Sequence, residues 1–368
     1  MRILIAFIVA FTVSVLIAFK LFRYSHLHEH ISSDYDVYGV QKFHDKPVLR
    51  IGGVSIFMGV LIGLIYLYQA ESGLSVVNLL LCTLPVFVTG FVEDLTKRVS
   101  ISVRLLSAFI STWLGIWLLD AVLKNFDLPL LDSWLKHNGI AGYSVYVLLT
   151  LFMVSGVTHS MNIIDGYNGL CGMVAILILF AIGWVSYSVG DMALLSVSAV
   201  LTGAILGFLV WNWPFGKMFA GDGGAYLIGF VIAELSVLLV VRNPQVSPWF
   251  PLLLLIYPVF ETIFSIYRRV FLHKKLSVQP DAMHLHHLVY RRLLNWMCNG
   301  QSSLIRNSRT SPFLWGLSLF SIVPALLFWE YTVVLKVFVA LFVLTYVILY
   351  WQIVRFKTPH WLKWLARQ

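Results

Sequence analysis

The sequence is poor in charged residues. Only 12% of its 368 residues are charged, whereas 59% are hydrophobic. Soluble domains carry about 25% charged residues, so this composition excludes an ordinary soluble globule. Acids are the scarcer sign, with 17 against 26 lysines and arginines. The basic residues are spread over several short stretches, which argues against nucleic-acid binding as the reason for the net charge of +9.

Cysteine is also scarce. Cys82, Cys171 and Cys298 are scattered, with no paired spacing and no CxxC pattern. A disulfide framework and a thiolate zinc site are therefore excluded. The dense multi-aspartate motif of the CDP-alcohol phosphotransferases is absent as well. The first apolar run is too long for a signal peptide and lacks a small-residue cleavage site, so we expect a membrane anchor there.

Long hydrophobic runs dominate what remains. Apolar stretches of about 18 or more residues are typical of membrane-spanning helices. We therefore predict an all-α, polytopic membrane protein in which residues 1–368 form one integral membrane domain. We predict eleven spanning segments, at 3–22, 51–70, 74–92, 103–122, 143–161, 170–188, 193–211, 225–241, 249–267, 312–329 and 332–352.

Lysine and arginine predict the orientation. Most of the 26 fall in alternate connections between the segments. Because short basic loops stay in the cytoplasm, the amino terminus is predicted outside and the carboxyl terminus inside. Part of this charge is expected to attract anionic membrane lipids. The predicted cytoplasmic connections are about 23–50, 93–102, 162–169, 212–224 and 268–311.

The few acids gather in these connections. Glu93 and Asp94 are adjacent, and neighbouring carboxylates at a membrane boundary usually need a cation or a metal. Asp165 lies between Asn162 and Asn168, a spacing that points polar groups in one direction on a helix start, although Asp165 alone suits an N-cap. Asp222 stands among glycines before a predicted helix, where a carboxylate suits Mg²⁺ and free backbone amides suit phosphate.

Basic and polar residues accompany the acids. Lys46 and Arg50 precede Gly52-Gly53, whose helix start is a second candidate phosphate site, with plain headgroup binding as the alternative. Three histidines in four residues suit phosphate or sugar hydroxyls better than a structural zinc. Within the helices, Glu261 is expected to pair with a basic residue, and Glu234 has no evident role. The remaining candidates for substrate binding are Lys97, Asn212, Phe219, His284, His286 and His287.

Taken in order, these residues resemble the motifs of the bacterial polyprenyl-phosphate N-acetylhexosamine-1-phosphate transferases. Glu93-Asp94 stands at the family's paired acidic motif, usually Asp-Asp. Residues 162–169 resemble its Asn-x-x-Asp-Gly-x-Asp/Asn-Gly element, and Phe219-Ala220-Gly221-Asp222 resembles Phe-Met-Gly-Asp. Residues 284–287 resemble the His-x-His-His loop of the GlcNAc-1-phosphate branch. The chain departs from the family at three positions, Glu93 for Asp, Gly223 for Thr or Ala, and Glu261 for Asp.

The resemblance implies an enzyme of the bacterial inner membrane with a cytoplasmic active site. It would transfer HexNAc-1-phosphate from a UDP-sugar to undecaprenyl phosphate and release UMP, the first step of O-antigen or similar cell-surface glycan assembly. It implies Mg²⁺, or Mn²⁺ in its place, held by Asp222 and Asp94. Glu93, Asp94, Asp165 and Asp222 would be the catalytic acids. The sugar, whether GlcNAc, GalNAc, QuiNAc or FucNAc, stays open, and a homodimer is compatible with the resemblance.

A transporter with a cytoplasmic metal or anion site is the alternative function. Transporters usually bind their cargo near the bilayer midplane on broken helices, often between internal repeats. In this sequence the acids and histidines fall in the connections, and no repeat relates the two halves. The sequence therefore favours the transferase.

Overall fold

The structure, a computed structural model, describes residues 1–34, 48–68, 75–272, 283–298 and 300–355. Its only strands in these ranges are β1 (Ser33–Asp34) and β2 (Val48–Leu49), which pair antiparallel. Short 3₁₀ and π segments lie at Ser25–Leu27, Arg268–Leu272 and Val289–Leu294. The α-helices are α1 (Arg2–Arg23), α2 (Glu29–Ser32), α3 (Gly52–Tyr68), α4 (Val76–Thr96), α5 (Ile101–Leu119), α6 (Pro129–His137), α7 (Gly139–Ile164), α8 (Leu170–Val189), α9 (Met192–Asn212), α10 (Gly221–Arg242), α11 (Trp249–Leu254), α12 (Ile256–Tyr267), α13 (Leu285–Leu288), α14 (Asn295–Met297), α15 (Ser303–Leu327) and α16 (Thr332–Val354).

The predicted all-α membrane class is confirmed. Nine helices of the described chain are long and apolar enough to cross a membrane, namely α1, α4, α5, α7, α8, α9, α10, α15 and α16. Helix α3 is a shorter apolar helix at the second predicted segment. The count of eleven and the orientation stay predictions.

The ninth predicted segment is not one continuous helix. It is divided into α11 and α12 at Leu255. Pro258 explains the break, because it has no amide hydrogen for the carbonyl of Leu254 and its ring clashes with that carbonyl in a regular helix. An apolar run predicts that the segment is buried in protein or lipid, but it does not predict where the backbone ladder is interrupted.

Helix α10 is the centre of the bundle. It packs against α3, α4, α5, α7, α8 and α9, and nearly every residue from Gly221 to Leu239 is buried. A helix that is apolar on all sides is typical of such a central position. We call the end of the bundle at Gly221 the site end and the end at Arg242 the far end.

Glycine contacts bring α3 and α4 close to the start of α10. A Cβ added to Gly53 would lie 2.3 Å from the amide nitrogen of Gly224. A Cβ added to Gly90 would lie 2.6 Å from the Cα of Gly223. Small residues allow this approach of backbones, which is common where membrane helices pack. The three helices therefore meet where Asp94, in the last turn of α4, faces Asp222, in the first turn of α10.

The outer helices turn large apolar side chains away from the protein. Trp117 of α5 and Val333 of α16 are each 74% exposed, and Phe152 of α7 is 64% exposed. Soluble monomers rarely expose contiguous apolar surface on this scale. This surface agrees with a bundle surrounded by lipid.

Candidate active site

Asp94 holds the start of α10. Its Oδ1 accepts a hydrogen bond from the amide of Asp222 at 2.8 Å, and its Oδ2 accepts one from the amide of Gly223 at 2.9 Å. The side chain is buried. The first amides of a helix have no partner within the helix, and a carboxylate is the acceptor that suits them best. Asp94 of α4 is therefore an N-terminal cap supplied from another helix.

Two arginines face the same acids. Arg104 of α5 donates from Nη1 to Oδ2 of Asp222 at 2.7 Å. Arg50, between β2 and α3, has its Nη2 3.7 Å from an oxygen of Asp94 and 3.7 Å from an oxygen of Asp222. Guanidinium groups in such surroundings stabilise carboxylates and phosphates alike. Asp222 thus lies between two arginines at the beginning of the central helix.

Asp165 is the third acid of this cluster. It follows the last residue of α7 and is half-buried. Burial raises the pKa of Asp165 to about 7; the nearby carboxylate of Asp222 raises it too, and Arg50 opposes them. The charge of Asp165 is therefore sensitive to small changes near neutral pH. Asp94, Asp165, Asp222, Arg50 and Arg104 are called the acid cluster below.

Two predictions about backbone amides are wrong. The amides of Asp222 and Gly223 are not available to phosphate, because Asp94 accepts from both. The amides of Gly52 and Gly53 donate to the carbonyls of Phe219 and Ala220. The glycines at both places serve close backbone packing. The groups beside Asp222 with the chemistry to bind phosphate are therefore side chains, with Arg50 and Arg104 the nearest.

The polar element 162–169 was predicted on a helix start, and this is wrong. Asn162 lies in the last turn of α7, and Asp165 caps the carboxyl end of that helix. The side chains of Asn162 and Asn168 also have different neighbours. Asn162 lies beside the side chain of Tyr226. Asn168 is buried, receives a bond from Ser311 at its carbonyl and donates to Ser308.

Glu93 and Asp94 diverge despite their adjacency. Oε2 of Glu93 accepts from the amide of Val99 at 2.7 Å and so closes the turn between α4 and α5. Lys97 has a left-handed backbone at the end of α4, and its Nζ lies 3.4 Å from the carbonyl of Ser33. Lys46 lies outside the described residues. Of the basic residues predicted to bind phosphate, the structure brings Arg50 to the acid cluster.

Asn212 and Phe219, two of the predicted substrate-binding residues, form hydrogen bonds within the chain. Asn212 accepts from the amide of Gly169 at 2.6 Å and donates to the carbonyl of Met218 at 2.8 Å. It joins the loops on either side of α8 and α9. Phe219 is half-buried, and its amide donates to the carbonyl of Leu49. Both residues fix loops beside the acid cluster.

The three histidines form one buried group. The rings of His284 and His286 stack at 5.1 Å, and Nδ1 of His287 lies 3.0 Å from the hydroxyl of Tyr167. A Cβ added to Gly166 would lie 3.6 Å from Nε2 of His286, so the histidines border the loop of Asp165. Burial lowers the pKa of His287 to about 3, with His284 acting in the same direction, so this ring is neutral at physiological pH.

Sequence reasoning missed several partners of these residues. Arg104, which contacts Asp222, is not among the predicted site residues. Tyr226 is one helical turn after Asp222 and lies beside Asn162 and Arg104. Helical spacing from Asp222 is the signal that finds it. The partner of Glu261, predicted as a basic residue, is His284 at 2.9 Å.

The acid cluster has the donor chemistry of a magnesium site. In the described part of the chain, no three His, Cys, Asp or Glu side chains are arranged to hold a metal by themselves. Mg²⁺ commonly takes one or two carboxylates and completes its shell with water and substrate phosphates. Asp222, with Asp94 or Asp165, is the set of oxygens that suits it.

The chain is similar in sequence to a known family and to named transferases. Glycosyl transferase family 4 matches residues 76–240. A probable undecaprenyl-phosphate N-acetylglucosaminyl 1-phosphate transferase of Bacillus subtilis (strain 168) is 32% identical over 254 residues, 67% of each chain. Undecaprenyl-phosphate alpha-N-acetylglucosaminyl 1-phosphate transferases are 27% identical in Thermotoga maritima, over 70% of this chain and 72% of the relative, and 30% identical in Escherichia coli O157:H7, over 68% and 67%. The chain belongs to the family of polyprenyl-phosphate N-acetylhexosamine-1-phosphate transferases and is therefore a phosphoglycosyltransferase rather than a transporter.

Proposed function

We propose that the protein transfers N-acetylhexosamine-1-phosphate from a UDP-sugar to undecaprenyl phosphate and releases UMP. The observation that carries the proposal is the position of Asp222. It opens the buried central helix, it lies between Arg50 and Arg104, and it faces Asp94. Reactions between two phosphate anions need charge neutralisation and in-line positioning above all. The acid cluster combines arginines for phosphate with carboxylates for a divalent cation.

Each residue of the acid cluster has a role in the bonds that form and break in the proposed reaction. An oxygen of the lipid phosphate attacks the phosphorus that bears the sugar, a new P–O–P linkage forms, and the bond from that phosphorus to the UMP oxygen breaks. Bound Mg²⁺ would neutralise the diphosphate charge, and Asp222 is the residue best placed to hold it. Arg50 and Arg104 would orient phosphate oxygens. Asp165 is the acid that can take a proton near neutral pH.

Asp94 and Glu93 have other tasks in this proposal. Both oxygens of Asp94 accept bonds from α10, so its role is to fix Asp222 in place and to add negative charge beside the cation. Glu93 shapes the turn that leads to Arg104. His284, His286 and His287 border the loop of Asp165 and would contact the sugar phosphate. We place this end of the bundle in the cytoplasm, where UDP-sugars occur, in the inner membrane of a bacterium.

An apolar groove supports a polyprenyl acceptor. The groove has a volume of about 570 Å³ and runs between α7, α10, α11 and α12. It begins near Ser160 and Ile266, at the site end, and extends to Leu123 towards the far end. Apolar walls that start beside a charged site suit a lipid whose phosphate head must reach that site. The relatives named above, whose acceptor is undecaprenyl phosphate, support the same acceptor here.

The direct test is turnover by the purified protein. With Mg²⁺, undecaprenyl phosphate and a panel of UDP-HexNAc donors, we expect release of UMP from at least one donor, which would also identify the sugar. Asp222→Ala should lower the rate at least about 1,000-fold, because the cation loses its main ligand. Asp191→Asn, a change of an acid at the far end, is the matched control. Absence of turnover with every donor would reject the proposed reaction.

The acceptor groove is tested by filling it. Gly156 lines the groove, and a Cβ added there meets nothing within 4 Å. Gly156→Phe should therefore raise the KM for undecaprenyl phosphate about tenfold and leave the KM for the UDP-sugar unchanged. Gly316→Phe is the control, because Gly316 of α15 is equally unobstructed and lies outside the groove. Equal effects of the two variants would remove the groove from the acceptor site.

A further inference from the structure

Glu261 of α12 is bonded on both of its oxygens inside the protein. Oε1 accepts from Nδ1 of His284 at 2.9 Å and from the amide of Leu285 at 2.8 Å. Oε2 accepts from the hydroxyl of Tyr346 at 2.8 Å. Glu261 and Tyr346 are 1% and 0% exposed. This carboxylate connects three parts of the chain, α12, the histidine segment and the last described helix, α16.

The hydrogen bond to Glu261 determines which nitrogen of the His284 ring carries a proton. An ionised carboxylate only accepts hydrogen bonds, so Nδ1 of His284 carries a proton. Nε2 is then the nitrogen whose lone pair can take a proton or a hydrogen bond. The amide bond from Leu285 keeps the backbone beside the ring in place. One carboxylate therefore sets both the orientation and the tautomer of His284.

Tyr346 completes this arrangement from a distant part of the sequence. Its ring packs edge-on against Phe260 at 5.0 Å and Phe264 at 5.6 Å. Only its hydroxyl reaches the polar group, and that hydroxyl is directed at Glu261. Without the Tyr346 hydroxyl, one oxygen of Glu261 would lose its hydrogen-bond donor. The carboxylate could then rotate within its apolar pocket, because an unpaired buried charge is unfavourable. Tyr346 thus limits the freedom of Glu261.

We propose that Glu261 and Tyr346 are positioning residues that act on the transfer reaction through His284. The inference rests on the proposed function, in which His284 contacts the sugar phosphate. Tyr346 lies within a run of apolar residues, where a tyrosine is otherwise explained by packing alone. Its hydroxyl would thus take part in the reaction although Tyr346 belongs to α16, the last helix of the described chain.

A kinetic double-mutant cycle tests the proposal. Tyr346→Phe removes one hydroxyl and keeps the packing, and we expect kcat/KM for the UDP-sugar to fall about tenfold. In a His284→Ala background the same change should alter kcat/KM less than about twofold, because the residue through which it acts is gone. Glu261→Gln should follow the same pattern with a larger loss. An equal loss in both backgrounds would overturn the proposal, since a general packing defect would persist.

Tyr257 supplies the matched control. It is one turn before Glu261 on α12, it is 1% exposed, and its hydroxyl has no hydrogen-bond partner among the described residues. Tyr257→Phe removes a buried hydroxyl from the same helix without touching the Glu261 bonds. We expect no change in kcat/KM in either background. A loss equal to that of Tyr346→Phe would show that any buried hydroxyl here has the same effect.

A second readout separates this inference from the proposed function. If the wild-type protein released no UMP, the proposed reaction would be rejected. The positioning of His284 would then be measured from the chemical reactivity of its ring. Modification of His284 by diethyl pyrocarbonate, followed by mass spectrometry, should be several-fold faster in Tyr346→Phe and Glu261→Gln than in wild type. Exposed His137 at the far end should react at the same rate in all variants. An unchanged rate at His284 would contradict the positioning.

Discussion

The two ends of α10 differ in how many acids and arginines they bring together. At the far end, Arg242 donates to Asp191 from Nε at 2.7 Å and from Nη2 at 3.3 Å, so one base meets one acid. At the site end, Asp222, Asp94 and Asp165 act on one another with Arg50 and Arg104 between them. The described residues of this end include three acids and two arginines, so one acid has no arginine to match it. We propose that the far end serves to hold helices together and that the site end serves to bind a cation.

After Asp222, the largest effect is expected at Asp94. Asp94→Asn keeps one acceptor oxygen but removes the charge and leaves an amide at the start of α10 without an acceptor. We expect kcat/KM for UMP release to fall about 100-fold and the free energy of unfolding to fall by about 1–2 kcal/mol. Steady-state kinetics and thermal unfolding in detergent measure the two losses. Wild-type activity in this variant would show that the start of α10 needs no charge from α4.

A paired substitution compares the arginines of the two ends. Arg104→Gln removes a charge-assisted bond to Asp222, and we expect kcat/KM to fall about 10- to 100-fold. Arg242→Gln removes a similar bond to Asp191, and activity should stay within about twofold of wild type. Both variants should lower the melting temperature. If both lowered the activity equally, the contrast between the ends would be one of stability only.

The smallest expected effect concerns pH. Because the pKa of Asp165 is raised to about 7, this group is protonated below pH 7 and ionised above it. An activity that needs the carboxylate should rise with pH through 7, up to about tenfold per unit, and Asp165→Asn should lose this dependence. Stability should change in the opposite sense. The pKa of Asp165 is higher in the folded protein than in the unfolded chain. This difference stabilises the fold at low pH, and the stabilisation is lost as the pH rises from about 4 to 7.

A cation should alter that pH dependence. Mg²⁺ favours ionised carboxylates, so increasing its concentration should move the midpoint for activity to lower pH. The midpoint is read from rates measured between pH 5 and 9 at several Mg²⁺ concentrations. Asp191→Asn should show the same midpoint as wild type. A midpoint that does not respond to Mg²⁺ would separate Asp165 from the cation.

The sequence was sufficient for the class of fold and for the acids of the site. Charges are so few in this chain that Asp94, Asp165 and Asp222 stand out from apolar surroundings, and long apolar runs predict helices well. The pattern could not show how Asp94 is used. Its bonds to α10 depend on the approach of α4 and α10 at Gly90 and Gly223, which is a tertiary contact.

Other features depend on contacts across the chain. Asn162 and Asn168 share a motif, but the end of α7 between them directs one towards Tyr226 and the other towards Ser308. The bond from Tyr346 to Glu261 joins residues of different helices. A tyrosine within an apolar run carries no signal of such a partner. Motif order thus predicted acids that the structure brings together, and helix packing decides which groups each side chain contacts.

Divalent-cation binding tests the contrast between the two ends most directly. Mn²⁺ can be titrated in the presence of saturating UDP-GlcNAc without acceptor, and electron paramagnetic resonance reports the free ion. We expect one bound Mn²⁺ per chain in wild type and in Asp191→Asn, and loss of that binding in Asp222→Ala. If Asp222→Ala bound Mn²⁺ as tightly as wild type, the unmatched charge at the start of α10 would not be the cation site, and the account would be wrong at its centre.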